Sequence, residues 1–230
     1  MAHMKLQFRA CRLLAAGALV AGSLPSSADD WPQWFGPKRD GVWREKGIVG
    51  KLPAEPDYRW RVPTGSGYAG PAVAAGRVFV MDRHLATGSS KPDDPFAQGT
   101  IPGTERVLCL DEVSGREIWK HQYNAPYTVS YAAGPRATPT VDGEHVFTLG
   151  AEGHLKCLDV RSGAVKWEKH FATDYGVKTA TWGWASAPLV DGDRLISIVG
   201  GEGSIVVAFD KSTGRELWRA LSAKEPGYGT

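Results

Sequence analysis

An eleven-residue string occurs three times in this chain, and this repetition constrains the fold more than any other feature of the sequence. The string reads CLDEVSGREIW at 109–119, CLDVRSGAVKW at 157–167 and AFDKSTGRELW at 208–218. Each copy has a small first residue, Asp at the third position, Ser or Thr followed by Gly in the middle, and Trp at the end. Self-similarity at a fixed period is typical of solenoids, propellers and repeat arrays.

Each copy lies at the end of a longer unit that contains four short β-forming segments separated by turns. In the second unit these segments cover 137–143, 145–150, 154–160 and 164–170. Four antiparallel strands in a unit of this length are typical of a β-propeller blade. The 28 glycines, 15 prolines and 9 tryptophans suit short strands and tight turns better than helices. We therefore predict an all-β propeller of four-stranded blades, with about three blades in this chain.

The repeated residues have structural roles that the pattern itself predicts. The Asp carboxylate caps backbone N–H groups of a turn, and the Gly adopts the left-handed conformation that a short bulged hairpin needs. The Trp packs against the next blade and donates its indole N–H to that blade's backbone. These positions are Asp111, Gly115 and Trp119, then Asp159, Gly163 and Trp167, then Asp210, Gly214 and Trp218. We interpret the repeated carboxylates as turn caps, and we assign no catalytic residue.

The repeated string resembles the tryptophan-docking motif of the pyrroloquinoline-quinone (PQQ) dehydrogenase propellers. It also resembles the wider set of PQQ-like propeller repeat proteins, which includes the outer-membrane β-barrel assembly lipoprotein and keeps the blade without the enzyme. The segments WPQWFGPKRDGV at 31–42 and GPRATPTVDG at 134–143 look like those of secreted bacterial members of this set. The resemblance covers nearly all of 31–230 and implies the fold, whereas function differs among proteins that share the blade.

We predict three regions: a signal peptide over 1–28, an N-terminal extension over 29–56, and incomplete propeller blades over 57–230. Lys5, Arg9 and Arg12 precede the apolar run LLAAGALVAGSL at 13–24, and small residues at 26–28 favour cleavage after Ala28. The apolar run is too short to span a bilayer. The expected location is therefore outside the cytoplasm, either periplasmic or secreted, without a membrane span.

Both ends of the repeat region suggest incomplete blades. Trp60 in DYRWRVP (57–63) reads as part of a fourth strand, and EPGYGT (225–230) resembles the start of another unit. Propellers typically have four to eight blades. We expect the three blades to belong to a ring of seven or eight, and the alternative is that three-bladed chains assemble into a ring. Open sheet edges would also favour self-association.

The net charge argues against a nucleic-acid partner. Removal of 1–28 lowers the formal net charge from +2 to −1 and leaves no basic block, so we predict no nucleic-acid partner.

Cys109 and Cys157 occupy the same position in successive units. We interpret both as small buried residues, with a disulfide between units as the alternative.

Residues that precede the innermost strand of each blade point towards the propeller axis and are our candidates for a ligand-binding face. They are Tyr68, Tyr131, Arg136, Trp182 and Trp184. An arginine among aromatic rings can hold an anionic or carbohydrate ligand. The alternative is that the aromatic side chains pack between blades and that Arg136 pairs with a turn carboxylate.

A long insertion is predicted between the second and third strands of the first unit, from Asp82 to Arg106. Loops of this length are either functional or disordered. Asp93 and Asp94 are adjacent carboxylates without the further spacing of a calcium site, so we predict no metal. The sequence lacks C-x-x-C, H-E-x-x-H, G-x-S-x-G and P-loop patterns.

Three functions are compatible with these features. The first is an exported, non-catalytic module that binds or scaffolds a protein or carbohydrate and needs no cofactor. The second, implied by the resemblance alone, is a fragment of a PQQ-dependent alcohol or sugar dehydrogenase with PQQ and calcium. Those enzymes use a pair of adjacent cysteines, which this sequence lacks. The third is carbohydrate hydrolysis by a carboxylate pair, for which Glu152 and Asp174 are the nearest candidates.

Overall fold

Three four-stranded antiparallel sheets form the fold of this chain in a computed structural model that describes residues 29–47, 50–224 and 227–228. The predicted signal peptide lies outside the described residues. In each sheet the strands follow one another in chain order, so that each sheet is a meander. This is the blade predicted from the repeat, and the all-β prediction is confirmed.

The strand bounds follow the repeated units. The first sheet contains β1 (Ala72–Ala74), β2 (Arg77–Leu85), β3 (Gly103–Asp111) and β4 (Glu117–Asn124). The second contains β5 (Thr140–Asp142), β6 (His145–Leu149), β7 (His154–Asp159) and β8 (Val165–His170). A four-residue helix, α1 (Phe171–Asp174), follows, and then β9 (Leu189–Asp191), β10 (Arg194–Ile198), β11 (Val206–Asp210) and β12 (Glu216–Ala220).

The repeated string forms a bulged hairpin in all three sheets. The register between the third and fourth strands shifts at the same place each time, between Cys109 and Leu110 in the first sheet. The motif glycines have φ angles of 70–72°, which is the left-handed region that favours glycine. Asp111 accepts hydrogen bonds from the N–H (2.8 Å) and hydroxyl (2.6 Å) of Ser114, as a turn cap should. These hydrogen bonds hold the pKa of Asp111 below its ordinary value.

Two of the three repeated tryptophans, Trp119 and Trp167, join neighbouring units as predicted. The indole N–H of Trp119 donates to the carbonyl of Val160 in the second unit at 3.0 Å, and that of Trp167 donates to Lys211 in the third at 2.9 Å. Each ring covers a motif glycine, because a Cβ on Gly163 would lie 2.5 Å from Trp119. The hydrophobic core accordingly consists of clusters that cross from one unit to the next.

The N-terminal extension lies along the inner edges of the first two sheets. Trp31 forms an antiparallel bridge with Val73 of β1, with N–H···O distances of 2.9 and 3.0 Å. The N–H of Val141 in β5 donates to the Pro32 carbonyl at 2.8 Å. Residues 57–63 do not form the predicted strand, although the Trp60 indole contacts the first unit like the other tryptophans.

The predicted insertion is shorter than the sequence suggested. Strands β2 and β3 stay paired through Asp82–Arg106, Arg83–Glu105, His84–Thr104 and Leu85–Gly103, so the loop covers only 86–102. The charged residues in this stretch hid the strand pattern. Arg83 and Glu105 are 2% and 0% exposed, and they occupy positions where a strand is expected to carry apolar side chains.

Both cysteines are buried and free, in agreement with the first interpretation. Each faces a motif tryptophan on the neighbouring strand, Cys109 opposite Trp119 and Cys157 opposite Trp167. Burial raises the pKa of the Cys109 thiol to about 11 and that of Cys157 to about 12. Both side chains therefore act as small uncharged core residues.

Candidate functional site

The alternation of strand directions brings two sets of loops to one end of the fold, which we call the connection end. They are the loops between the second and third strands of each sheet and the connections from one sheet to the next. The motif turns lie at the opposite end. At the connection end the loops bond to one another, since Tyr68 N–H donates to Pro135 (2.7 Å) and Ser130 N–H donates to Thr181 (2.7 Å). The predicted ligand-face residues all belong to these loops.

Arg136 organises the loop between the first and second units. Its guanidinium donates to the carbonyl of Gly134, to that of Ser130 (2.9 Å) and to that of Tyr131 (2.8 Å). It also lies 5.3 Å from the centre of the Tyr68 ring, within cation–π range. The sequence left open whether Arg136 would pair with a turn carboxylate. Its hydrogen bonds among the described residues go to carbonyls instead.

Tyr131 has a left-handed backbone, with φ at 53°, which is uncommon for a residue with a side chain. The conformation is fixed by neighbours, because Tyr131 N–H donates to the Pro95 carbonyl at 2.7 Å and the Ser130 hydroxyl donates to the Phe96 carbonyl at 2.8 Å. The rings of Phe96 and Tyr131 meet edge to face with centroids 5.1 Å apart. Loop 86–102 is thereby attached to the loop that Arg136 holds.

Three aromatic rings of this corner remain accessible. Tyr68 is 54% exposed, Phe96 61% and Tyr131 39%. Fixed aromatic side chains with exposed faces and one nearby guanidinium can stack on a ligand and bind a polar or anionic group beside it. We call this set, together with Arg136, the aromatic corner.

The two predicted tryptophans have different environments. Trp182 is 46% exposed, and its ring is tilted by 39° against that of Tyr228, with centroids 5.4 Å apart. The N–H of Trp182 donates a hydrogen bond to the Tyr228 hydroxyl at 2.9 Å. Trp184 is only 7% exposed and donates its indole N–H to the Val199 carbonyl at 2.8 Å. It packs against Phe171 in the core and lies apart from the accessible surface.

A small cavity lies where the N-terminal extension meets the inner ends of the second and third sheets. It has a volume of about 50 Å³ and is lined by Trp34, Arg136, Thr138, Ala185 and Ala187. Arg136 therefore faces both this cavity and the aromatic corner. The contribution of Trp34 was not predicted, because nothing in the sequence of the extension indicates that it returns to the propeller axis.

A buried polar network contacts the loop of the aromatic corner, since Arg83 donates to the carbonyl of Ala132, the residue after Tyr131, at 3.3 Å. Sequence reasoning missed this network. The Glu105 carboxylate accepts hydrogen bonds from the hydroxyls of Tyr123 and Tyr127 and from the N–H of Ala151 at 3.0 Å. The Arg83 guanidinium lies 3.9 Å from the centre of the Tyr127 ring. Burial and the nearby carboxylate raise the pKa of Tyr127, so its hydroxyl stays protonated and donates.

Glu152 and Asp174, the candidate hydrolytic pair, both accept local hydrogen bonds. Glu152 accepts from the N–H of Thr128 at 2.5 Å and from the hydroxyl of Thr179 at 2.8 Å, while Asp174 accepts from the N–H of His170 at 2.9 Å. These bonds give both carboxylates a structural role.

Asp93 and Asp94, the two adjacent carboxylates that the sequence analysis weighed as calcium ligands, lie in loop 86–102. Asp94 caps the N–H of Phe96 at 2.9 Å. Within the described ranges no group of three or more His, Cys, Asp or Glu side chains is placed to hold a metal ion. Among the described residues, the cavity beside Trp34 contains one guanidinium, that of Arg136, and no two cysteines are adjacent in the sequence. These residues do not fit a quinone–calcium site by themselves.

Comparison with known proteins identifies the family. Residues 103–229 match the family model described as outer membrane protein assembly factor BamB. The chain belongs to this PQQ-like repeat family. Among curated proteins, BamB of Burkholderia pseudomallei is 25% identical over 156 residues, which cover 66% of this chain and 37% of BamB. The quinoprotein alcohol dehydrogenase PedH of Pseudomonas putida is 33% identical over 100 residues, or 44% of this chain and 15% of PedH.

A solved structure has the same fold. The quinohemoprotein alcohol dehydrogenase of Comamonas testosteroni matches 83% of this chain with a TM-score of 0.53 and 18% identity, and the match covers 27% of that enzyme. The chain thus spans a minor part of the relatives it matches. In the described part of the chain, no helix has the length and apolar character needed to cross a bilayer.

Proposed function

We propose that this chain is an exported, non-catalytic PQQ-like repeat module that binds a protein or carbohydrate ligand at its connection end. Export is supported by the basic and apolar segments within 1–28. A binding role is supported by membership of a family whose model is named after an assembly factor.

The observation that carries this proposal is the aromatic corner. Tyr68, Phe96 and Tyr131 are exposed, yet backbone hydrogen bonds and the Arg136 guanidinium fix the loops that bear them. Exposed Tyr residues on a rigid frame contribute large contact areas at a small entropic cost. Buried polar contacts support the loop that bears Tyr131, because Arg83 lies over the Tyr127 ring, donates to the Ala132 carbonyl at 3.3 Å, and Tyr127 donates to Glu105.

A non-catalytic role is supported by the state of the carboxylates. Glu105 and Glu152 are 0% and 7% exposed, and both carboxylates accept hydrogen bonds from hydroxyl and N–H groups. General acid–base chemistry needs a group within reach of the substrate's proton. Buried carboxylates that hold loops together are better suited to support than to proton transfer.

The double variant Tyr68→Ala/Phe96→Ala tests the proposed face. The measurement is binding to an array of soluble glycans and to extracts of cell-envelope proteins, with Val113→Ala as the control. Val113 is 73% exposed in a motif turn at the opposite end. We expect the double variant to lose about tenfold or more in affinity while the control binds normally, as interface anchors do on truncation. Equal binding by both variants and wild type would refute the proposed face.

The alternative function is a piece of a PQQ-dependent dehydrogenase. The 33% identity to PedH over 100 residues favours it. Since the described residues do not form a quinone site by themselves, this alternative needs ligands from other units. Addition of PQQ and calcium followed by measurement of quinone absorbance and dye-linked alcohol oxidation distinguishes the two functions. Turnover with an alcohol would establish the enzyme and overturn the non-catalytic proposal.

A further inference from the structure

The two junctions between units are built from the same short segments at the connection end. The first junction, between units one and two, contains Tyr-Thr-Val at 127–129 and Gly-Ala-Glu-Gly at 150–153. The second junction, between units two and three, contains Tyr-Gly-Val at 175–177 and Gly-Gly-Glu-Gly at 200–203. In each case the first segment follows the fourth strand of one unit, and the second joins two strands of the next unit. The two junctions can therefore be compared position by position.

Two buried carboxylates close the first junction. Glu105 accepts a hydrogen bond from the N–H of Ala151 at 3.0 Å and another from the Tyr127 hydroxyl. Glu152 accepts a hydrogen bond from the N–H of Thr128 at 2.5 Å. Each of the two segments thus donates one backbone N–H to a carboxylate.

The second junction has the same backbone positions without carboxylates bonded to them. Gly201 corresponds to Ala151, and Gly176 corresponds to Thr128. Within the described part of the chain, neither glycine N–H donates a hydrogen bond to an acceptor. Backbone N–H groups in folded proteins are satisfied by protein, water or ligand acceptors.

A sequence difference between the units explains why the second junction is open. Glu105 lies four residues before the repeated string, and the same position in the second unit is Gly153. The Tyr175 hydroxyl, which corresponds to that of Tyr127, donates to Glu216 of β12 at 2.8 Å. The second unit therefore has no acidic side chain at the position of Glu105.

The space at the second junction is an open pocket of about 410 Å³. Its lining includes Gly176, Lys178, Gly201, Glu202 and Lys224. Lys178 and Glu202 are exposed, and neither forms an ion pair with another described residue. A pocket of this size can hold a small ligand. Its polar groups are backbone donors, ammonium groups and one carboxylate.

We propose that this pocket binds a small sugar acid of the uronic acid class. The carboxylate of the ligand takes the role that Glu105 and Glu152 have in the first junction, with glycine N–H groups as donors and Lys178 as the charge partner. The hydroxyl groups of the sugar ring donate to Glu202. A neutral sugar would leave the N–H groups and the lysine without an anion. The pocket shares no residue with the aromatic corner, so this site is independent of the function proposed above.

Titration calorimetry of the intact chain with galacturonate tests the proposal. Galactose, which has a hydroxymethyl group in place of the carboxylate, is the matched ligand. We expect galacturonate to bind about tenfold or more tightly than galactose, and Lys178→Met to lose a similar factor, because a hydrogen bond to a charged group is removed in each case. Lys120→Met is the control variant, since Lys120 is an exposed lysine on β4 of the first unit. It should bind galacturonate like wild type, and circular dichroism verifies that both variants are folded.

Several results would overturn the proposal. Absence of galacturonate binding at millimolar concentration, or equal binding of galactose, would refute the carboxylate site. Binding that is unchanged in a folded Lys178→Met variant would place the ligand elsewhere. Loss of galacturonate binding in Tyr68→Ala/Phe96→Ala would assign the ligand to the aromatic corner instead. Tighter binding of inorganic phosphate or of glutamate than of galacturonate would refute the sugar acid class.

Discussion

Two glycines of the second unit share a left-handed backbone but differ in what surrounds them. Gly163 has φ at 72° and lies under the Trp119 ring, where a Cβ would be 2.5 Å from a ring carbon. Gly143 has φ at 55° in the turn between β5 and β6, and no atom lies within 4 Å of its Cβ position. Each glycine provides a conformation that other residues adopt at a cost.

Alanine at these positions separates backbone strain from steric clash. We expect Gly143→Ala to lower the free energy of unfolding by about 1–2 kcal/mol, the cost of a left-handed alanine. Gly163→Ala should cost about 1–3 kcal/mol more, because the methyl group displaces the indole. Urea unfolding of both variants measures the difference. Equal losses would show that the indole does not depend on the glycine.

What the sequence revealed about single residues depended on repetition. The capping role of Asp159 and the docking role of Trp167 occur in three copies, so the spacing alone identified them. Arg83 and Glu105 each occur once, so no repeat identifies their role. Their role is visible only after β2 and β3 pair and place the two residues opposite each other. A charge buried by a partner distant in sequence leaves no local pattern, and the support of the aromatic corner could not be predicted for this reason.

At the scale of strands and turns, tryptophan contacts connect neighbouring units. Trp167 is 9% exposed and contacts Phe147 and Phe209, with ring centroids 6.0 and 6.2 Å away. We expect Trp167→Ala to lower the free energy of unfolding by about 3–5 kcal/mol through the cavity it leaves between units. Trp218→Ala is the matched control, since its ring is 39% exposed, and its effect should be well below that of Trp167→Ala. Thermal and urea unfolding of both variants test this, and similar losses would contradict the wedge role.

The element boundaries show where pattern reasoning works. The bounds of strands β6 to β8 were predicted within one residue at each end, because glycine and motif turns bracket them. The bridge of Trp31 to Val73 was not predicted, because backbone pairing along an inner edge imposes no alternation on the extension. The propeller blades could therefore be predicted from the sequence, whereas the path of the extension and the cavity beside Trp34 are visible only in the structure.

The stability of the whole molecule should depend on pH through a histidine pair between neighbouring strands. The rings of His154 and His170 stack with centroids 4.3 Å apart, and His154 Nδ1 is buried without a hydrogen-bond partner among the described residues. Burial, then the neighbouring His170 and Lys156, lowers the pKa of His154 from 6.5 to about 4, while Glu168 opposes the shift. The folded protein thus keeps this ring neutral where the unfolded chain would protonate it.

The direction of the effect follows from proton uptake. Between pH 6.5 and about 4 the unfolded chain binds a proton at His154 and the folded protein does not, so the free energy of unfolding falls as the pH is lowered through this range. For this single group the loss approaches about 3 kcal/mol at the acid end. In His154→Phe the ring remains apolar and cannot titrate. As the pH is lowered from 7.5 to 4.5, the free energy of unfolding should therefore fall more in wild type than in the variant. Urea unfolding of both proteins at each pH measures this difference. Carboxylate titration is common to both proteins and cancels in the comparison. A difference that stays constant with pH would show that His154 titrates normally in the folded protein, and the stacked pair would then be accessible to solvent.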